Sequence, residues 1–197
     1  MSSELLSSDI LNAVTSYVAD LKKPVTFVLQ TGTHDKRKEL VEFLSAIAAT
    51  SPLLSFEQRD TQGSLRSPIS FALEADGNTT GIVFSGIPSG HEFNSLILAV
   101  LQSGGASELK LDASIVETVQ SINDPIKFEV FISLSCHNCP DVVQTLNKFA
   151  LLNQKISTEM IDGGLFQDII DDRDIQGVPS VFMNGELFMN GKVDIAN

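Results

Sequence analysis

The chain has 197 residues, 43% of them hydrophobic, and a formal net charge of −12. That length admits one large domain or two small ones with buried cores, and 12 Phe beside one Tyr and no Trp mean that the aromatic parts of those cores are built from Phe. The acidic balance disfavours nucleic acid and anionic membrane surfaces as partners, and no uninterrupted apolar run is long enough to span a bilayer.

The opening stretch "MSSELLSSDILNAVTSYVADLKK" has acidic residues and no basic n-region. It reads as an amphipathic helix over 4–22, not as a signal peptide, and a cytoplasmic location is the default expectation. After Pro24 come an apolar strand, "VTFVLQT", and a helix over 36–50. "LLSFEQR" reads as a strand, and "SPISFALE" and "TTGIVFS" pair across the turn "ADGN". A helix over 92–102 ends at Gly104 and Gly105, a C-cap signal. The order then starts again. A helix, "ELKLDASIVETVQSI", precedes Pro125, followed by the strand "IKFEVFIS", a helix after Cys139, and the strand "KISTEMID". The helix-like insertion "FQDIIDDRDI" leads to a hairpin, "VPSVFMNG" and "ELFMNG".

Pro24 and Pro125 each open a strand, and Pro68 and Pro179 each open a later one, so the chain reads as a tandem repeat of one supersecondary unit. Strand, crossover helix and strand imply a parallel pair with right-handed connection, and a hairpin completes the sheet. The expected class is α/β: two fused thioredoxin-like folds, each a mixed four-stranded sheet flanked by helices. Residues 1–106 form the first, without redox cysteines, and residues 107–197 the second, which stops where a closing helix should begin.

The two cysteines stand together in "SCHNCP". A Cys-x-x-Cys between a strand and a helix is a redox signature. Cys136 is expected in the first turn of the helix, where free N–H groups and the helix dipole favour thiolate over thiol. Such thiols have pKa values of roughly 3.5–7.5 against about 8.5 when free, and the thiolate is the attacking species in disulfide exchange. Cys136 is then the nucleophile and Cys139 the resolving thiol. Pro140 fits the first helical turn, where its missing N–H has no partner anyway. Zinc, a structural disulfide and an inert buried pair are the competing readings. Zinc needs about four ligands, but there is no second Cys pair and the histidines are His34, His91 and His137; a disulfide closing so short a loop removes little chain entropy.

His137 stabilises the thiolate if protonated and is otherwise an exposed loop residue. Asn138 reads as a turn residue that bonds backbone. Asp141 suits the helix dipole but repels a nearby thiolate. Pro179, in "GVPS", is a candidate cis peptide in a tight turn. It would face the Cys pair and expose the Val178 backbone to a substrate chain; the alternative is an ordinary edge-strand proline. The first copy's counterpart of the Cys pair lies near "TGTHD" and carries no thiol. "NTT" at Asn78 is read as a turn and not a glycosylation site.

"SLSCHNCPDVVQTLN", "GHEFNSLILAVLQSGG", "IDGGLFQDII" and "GVPSVFMNGE" are the stretches that carry a resemblance. Together they resemble the N-terminal domain of the flavoprotein subunit of bacterial alkyl hydroperoxide reductase, over essentially the whole chain. The resemblance implies two fused thioredoxin-like folds with one active Cys pair. It also implies electron transfer from a flavin and pyridine-nucleotide module of the same polypeptide to the disulfide of a peroxiredoxin partner, the hydroperoxide-reducing component of that system. Glu92, in "GHEF", matches a family acid that the inactive fold brings to the Cys pair to assist proton transfer. Thioredoxins carry a buried acid about six residues before the first cysteine, where this chain has Val130. On the residues alone, Glu92 equally suits a helix N-terminus. FAD and NADH or NADPH are expected in the full-length protein. None is expected in this chain, which lacks a Gly-x-Gly-x-x-Gly fingerprint; no metal is expected, and a homodimer is an option for the full-length protein. The alternatives are a stand-alone glutaredoxin-like or protein disulfide oxidoreductase, and a non-enzymatic module that docks a peroxiredoxin.

Overall fold

The computed structural model describes residues 5–191. The first copy runs α1 (Ser8–Val18), β1 (Val25–Gln30), α2 (Arg37–Ala48), β2 (Leu54–Arg59), β3 (Ser70–Ala75), β4 (Asn78–Ser85) and α3 (Phe93–Ser103), with a single 3₁₀ turn over Gly90–Glu92 before α3. The second runs α4 (Ala113–Gln120), β5 (Ile126–Ile132), α5 (Cys139–Leu152), β6 (Ile156–Asp162), α6 (Gln167–Asp172), β7 (Ser180–Met183) and β8 (Glu186–Asn190). Local chemistry sets these limits. Ser7 caps α1 by accepting from the Ile10 N–H, so the helix starts later than position 4, which lies outside the described residues. Asp76–Gly77 and Asn184–Gly185 all take positive φ in the two hairpin turns, the demand of a two-residue turn matched to strand twist. The insertion "FQDIIDDRDI" forms α6. The closing helix expected after position 191 lies outside the described residues.

Each half repeats one pairing scheme. β1 is parallel to β2 and antiparallel to β3, which is antiparallel to β4; β5 stands in the same relations to β6 and β7, and β7 to β8. The two four-stranded sheets are not separate, however. β4 and β6 pair in parallel, with Ile82 opposite Thr158 and Ser85 opposite Ile161, so one eight-stranded mixed sheet runs in the order β2-β1-β3-β4-β6-β5-β7-β8. Element order cannot show this, because each half already satisfies its own hairpins and crossovers. Gly81 permits the approach: a Cβ there would stand 2.7 Å from the Ile156 carbonyl oxygen.

The core follows the sheet. Its buried apolar residues form one continuous cluster through both halves. Phe27, Phe71 and Phe84 pack in sequence in the first half, and Phe131 packs edge-on to Phe182 in the second, so Phe does supply the aromatic core. β5, now central, is buried from Phe128 to Ile132. Across the junction α3 packs on α5. No helix among the described residues is long and apolar enough to cross a membrane.

The seam also carries buried charge. Glu129 and Glu159 lie opposite each other on β5 and β6 and are 5% and 4% exposed. Arg66, from the first half, donates from Nε and Nη2 to Glu159 at 2.7 and 2.9 Å and also pairs with Glu129. Arg173, after α6, donates to Glu129 at 3.0 and 3.3 Å and lies 4.8 Å from the Phe182 ring centroid. Ser85 donates to Glu159 at 2.6 Å. Burial pushes the Glu129 carboxyl up, but the hydrogen bonds and charges of Arg173 and Arg66 outweigh it and hold it below its ordinary value. A buried carboxylate needs this compensation to remain ionised.

Candidate active site

Parallel strands β5 and β6 end side by side, Ile132 opposite Asp162, and the chain leaving β5 turns back immediately. The Cys136 N–H closes that turn on the Ser133 carbonyl at 2.9 Å. α5 begins at Cys139, with Pro140 in its first turn. Cys136 therefore lies three residues ahead of the helix and not in its first turn as expected. The turn after β5 takes up residues 133–138, and it is Cys139 whose backbone starts the helix. Cys136 and Cys139 are disulfide-bonded, with Cα atoms 5.6 Å apart.

The two sulfurs are unequal. Cys139 is 0% exposed, whereas Cys136 is half-buried, so Cys136 is the more accessible of the two. His137 and Asn138, between them, are exposed, and Asn138 precedes the helix without a side-chain capping bond. The Val178–Pro179 peptide bond is cis, and the Val178 carbonyl oxygen stands 4.0 Å from the Cys136 sulfur. Pro68, its first-copy counterpart by sequence, lies two residues ahead of β3 and has no cis bond. In the first copy, Arg37 opens α2 as Cys139 opens α5. Its guanidinium donates to the carbonyls of Gln30 and Pro68 and to the Gln58 side chain, so the matching place is filled by an internally bonded arginine.

The first half still contributes to the site. The His91 N–H donates to the Leu134 carbonyl at 3.1 Å, two residues before Cys136. The His91 imidazole lies against that of His137, with ring centroids 4.2 Å apart. This closeness depends on Gly90, whose φ is +56° and where a Cβ would stand 2.7 Å from the Leu134 oxygen.

Glu92 follows directly. It is 0% exposed, and its turn packs on α5. Neither carboxylate oxygen has a hydrogen-bond partner among the described residues. Loss of water pushes its pKa up to about 7, and the Ser95 hydroxyl, three residues on, pulls the other way without reaching hydrogen-bond geometry. A carboxyl that exchanges its proton near neutrality suits general acid–base work. The turn that holds Glu92 packs on α5, the helix that Cys139 opens, and the Val178 carbonyl lies beside Cys136, so three separated stretches of sequence border one region, while Val130, in the position of the thioredoxin acid, is simply buried in the core.

Asp162 carries no signal in the sequence that marks it out. It is 7% exposed at the end of β6, burial raises its pKa against a bond from the Gly164 N–H, and its Oδ1 accepts that bond at 3.0 Å. The Arg66–Glu129–Glu159–Arg173 cluster also emerges only from the structure. Its legible trace is two glutamates at interior positions of the apolar strands "IKFEVFIS" and "KISTEMID". No group of three or more His, Cys, Asp or Glu side chains among the described residues is placed to hold a metal ion.

A family model described as Thioredoxin domain matches residues 126–196. The alkyl hydroperoxide reductase protein AhpF of Staphylococcus aureus (strain MRSA252) is 41% identical over 191 residues, covering 97% of this chain and 36% of that protein. Its counterpart in Pseudomonas aeruginosa (PAO1) is 40% identical over the same length, with the same coverage of 97% and 36%. The crystal structure of the NTD_N/C domain of alkylhydroperoxide reductase AhpF from Enterococcus faecalis (V583) matches with a TM-score of 0.88 and 31% identity, over 97% of this chain and 96% of that one. The chain spans 36% of the length of the curated relatives it matches.

Proposed function

The chain belongs to the family of the N-terminal domain of the alkyl hydroperoxide reductase protein AhpF, and from that premise we propose that it is a dithiol–disulfide carrier that reduces the disulfide of a peroxiredoxin partner, the hydroperoxide-reducing component of the same system. The observation that carries the reading is the pair itself: a half-buried Cys136 bonded to a fully buried Cys139, with the Val178 carbonyl beside the outer sulfur.

In the reduced chain the Cys136 thiolate attacks one sulfur of the partner disulfide. A mixed disulfide forms and a partner thiolate leaves. Cys139, deprotonated, then attacks the Cys136 sulfur, which closes the intramolecular disulfide and releases the second partner thiol. Two electrons and one proton pass to the partner, and the first partner thiolate released takes its proton from solvent. Glu92 takes the proton from the cysteine that must ionise and returns it to the leaving thiolate, a role its raised pKa suits. Val178 and Pro179 seat the partner backbone beside Cys136, and His137, Asn138 and Pro140 shape the turn. The half formed by residues 1–106 presents Glu92 and His91 to the thiols of 107–197.

On the same reading, the chain is recharged by a flavin and NADH or NADPH module of a longer cytoplasmic polypeptide. FAD and the nicotinamide would be held there, and this chain's own residues would only receive electrons as thiols.

The test is single-turnover reduction of a peroxiredoxin disulfide by the prereduced chain. Cys136→Ser should abolish it, and Cys139→Ser should accumulate the mixed disulfide. Full activity in Cys136→Ser would sink the proposal.

A further inference from the structure

Glu92 leaves a question of control: a buried carboxyl without a bonded partner has nothing to steady it once it ionises. Ser95, three residues on, supplies an answer. It lies on α3 and is 0% exposed, and its Oγ accepts from Nε2 of Gln144, on α5, at 3.2 Å. A hydroxyl has one proton and two lone pairs. With Gln144 bound at a lone pair, the proton is left free to point elsewhere, and the bonded amide polarises it.

We propose that Gln144 and Ser95 form a relay that aims the Ser95 hydroxyl proton at Glu92, and that both are positioning residues for proton transfer at the cysteine pair. The inference rests on the acid–base role given to Glu92 above. With Glu92 protonated the hydroxyl is not needed as a donor to it. When Glu92 ionises, the hydroxyl turns to it and holds the charge. Ser95 belongs to the first half and Gln144 to the helix that begins at Cys139, so the relay ties the proton affinity of the acid to the element bearing the resolving thiol.

Other titratable groups on the surrounding elements are few. α3 carries none. α5 carries Cys139, Asp141 and Lys148, and the preceding turn Cys136 and His137, with His91 beside Glu92 itself. His91 and His137 are exposed, whereas Ser95 and Glu92 are both 0% exposed, three residues apart at the start of α3.

The experiment follows the side-chain carboxyl of Glu92 by NMR in the ¹³C-glutamate-labelled chain, with the signal assigned from Glu92→Gln. Ser95→Ala should raise the titration midpoint by about one pH unit, the effect of losing one bond to a charged group. Gln144→Leu should raise it by less, and the double variant should match Ser95→Ala alone. The pH profile of single-turnover exchange should move with the midpoint. Gln144 is half-buried, so its variant carries the test if Ser95→Ala folds poorly. An unmoved midpoint in both variants, or shifts that simply add, would overturn the relay; the former is expected if the Gln144 amide faces the other way and consumes the Ser95 proton. A midpoint that moves while the exchange profile stays put would uphold the relay and refute the acid–base role of Glu92.

Discussion

The imidazole of His91 rests against that of His137, ring centroids 4.2 Å apart, so a side chain from the half without thiols touches the residue between the two cysteines. Both rings are exposed, so the contact adds little stability; its consequence is to hold His137. His91→Ala should lower stability by less than about 1 kcal/mol yet displace the His137 ring resonances, whereas His34→Ala should leave them in place. Unchanged His137 signals in His91→Ala would show that the rings do not pack in solution.

Glu92 gives stability a pH dependence of definite sign. Its pKa is raised to about 7 above its unfolded value, so the folded state holds a proton that the unfolded chain releases. The contribution is whole below the unfolded pKa and is lost as pH rises through about 7. Burial raises Asp162 as well, adding in the same direction. Urea unfolding should show stability falling by roughly 3 kcal/mol on account of Glu92 over that interval. Glu92→Gln should remove that part of the slope. A slope identical in the variant would mean that Glu92 titrates as an ordinary surface carboxylate.

Arg66 is the link whose loss should be felt across the seam. Among the described residues, Arg66→Met leaves Glu159 with Lys127, at 3.6 Å, as its remaining ion-pair partner and Glu129 with Arg173. A cost of roughly 3 kcal/mol is expected. Arg59 offers the contrast: its pairs with Glu57 and Glu74 lie at the surface, where solvent screens them, and Arg59→Ala should leave the unfolding midpoint nearly unchanged. Comparable midpoints for the two variants in chemical denaturation would show that the seam is not held by its charges.

Gly90 should tolerate no side chain. Its positive φ and the 2.7 Å approach of a Cβ to the Leu134 oxygen mean that Gly90→Ala strains the backbone and pushes the turn from the cysteine loop. A loss of roughly 1–2 kcal/mol is expected, with slower disulfide exchange as Glu92 moves. Gly177, where a Cβ would meet nothing within 4 Å, should accept Ala with little loss of stability. Exchange at the original rate in a folded Gly90→Ala would argue that the close approach is dispensable.

The order of elements, both hairpin turns and the placement of the Cys pair between β5 and α5 are readable from the chain, because each depends on neighbours a few residues away: alternation along a strand, the turn residues Asp76–Gly77 and Asn184–Gly185, the proline after Cys139. Pro68 shows the limit of that reading. It repeats Pro179 in sequence, but the cis bond belongs to Pro179 alone among the described residues. Cys136 falls in the turn before α5 and not in the first turn of the helix as expected, since only backbone hydrogen bonding decides to which of the two it belongs.

Short-range patterning thus determined, unaided, two copies of one arrangement of strands and helices and a single close pair of cysteines. Tertiary structure alone decided that the copies share one sheet, that Arg66 reaches Glu129 and Glu159, and that Glu92 is sealed from water next to α5. Those outcomes depend on which distant strand edges and helix faces meet, and a carboxyl acquires an unusual proton affinity only when residues far along the chain close over it and exclude the solvent that would otherwise stabilise its charge.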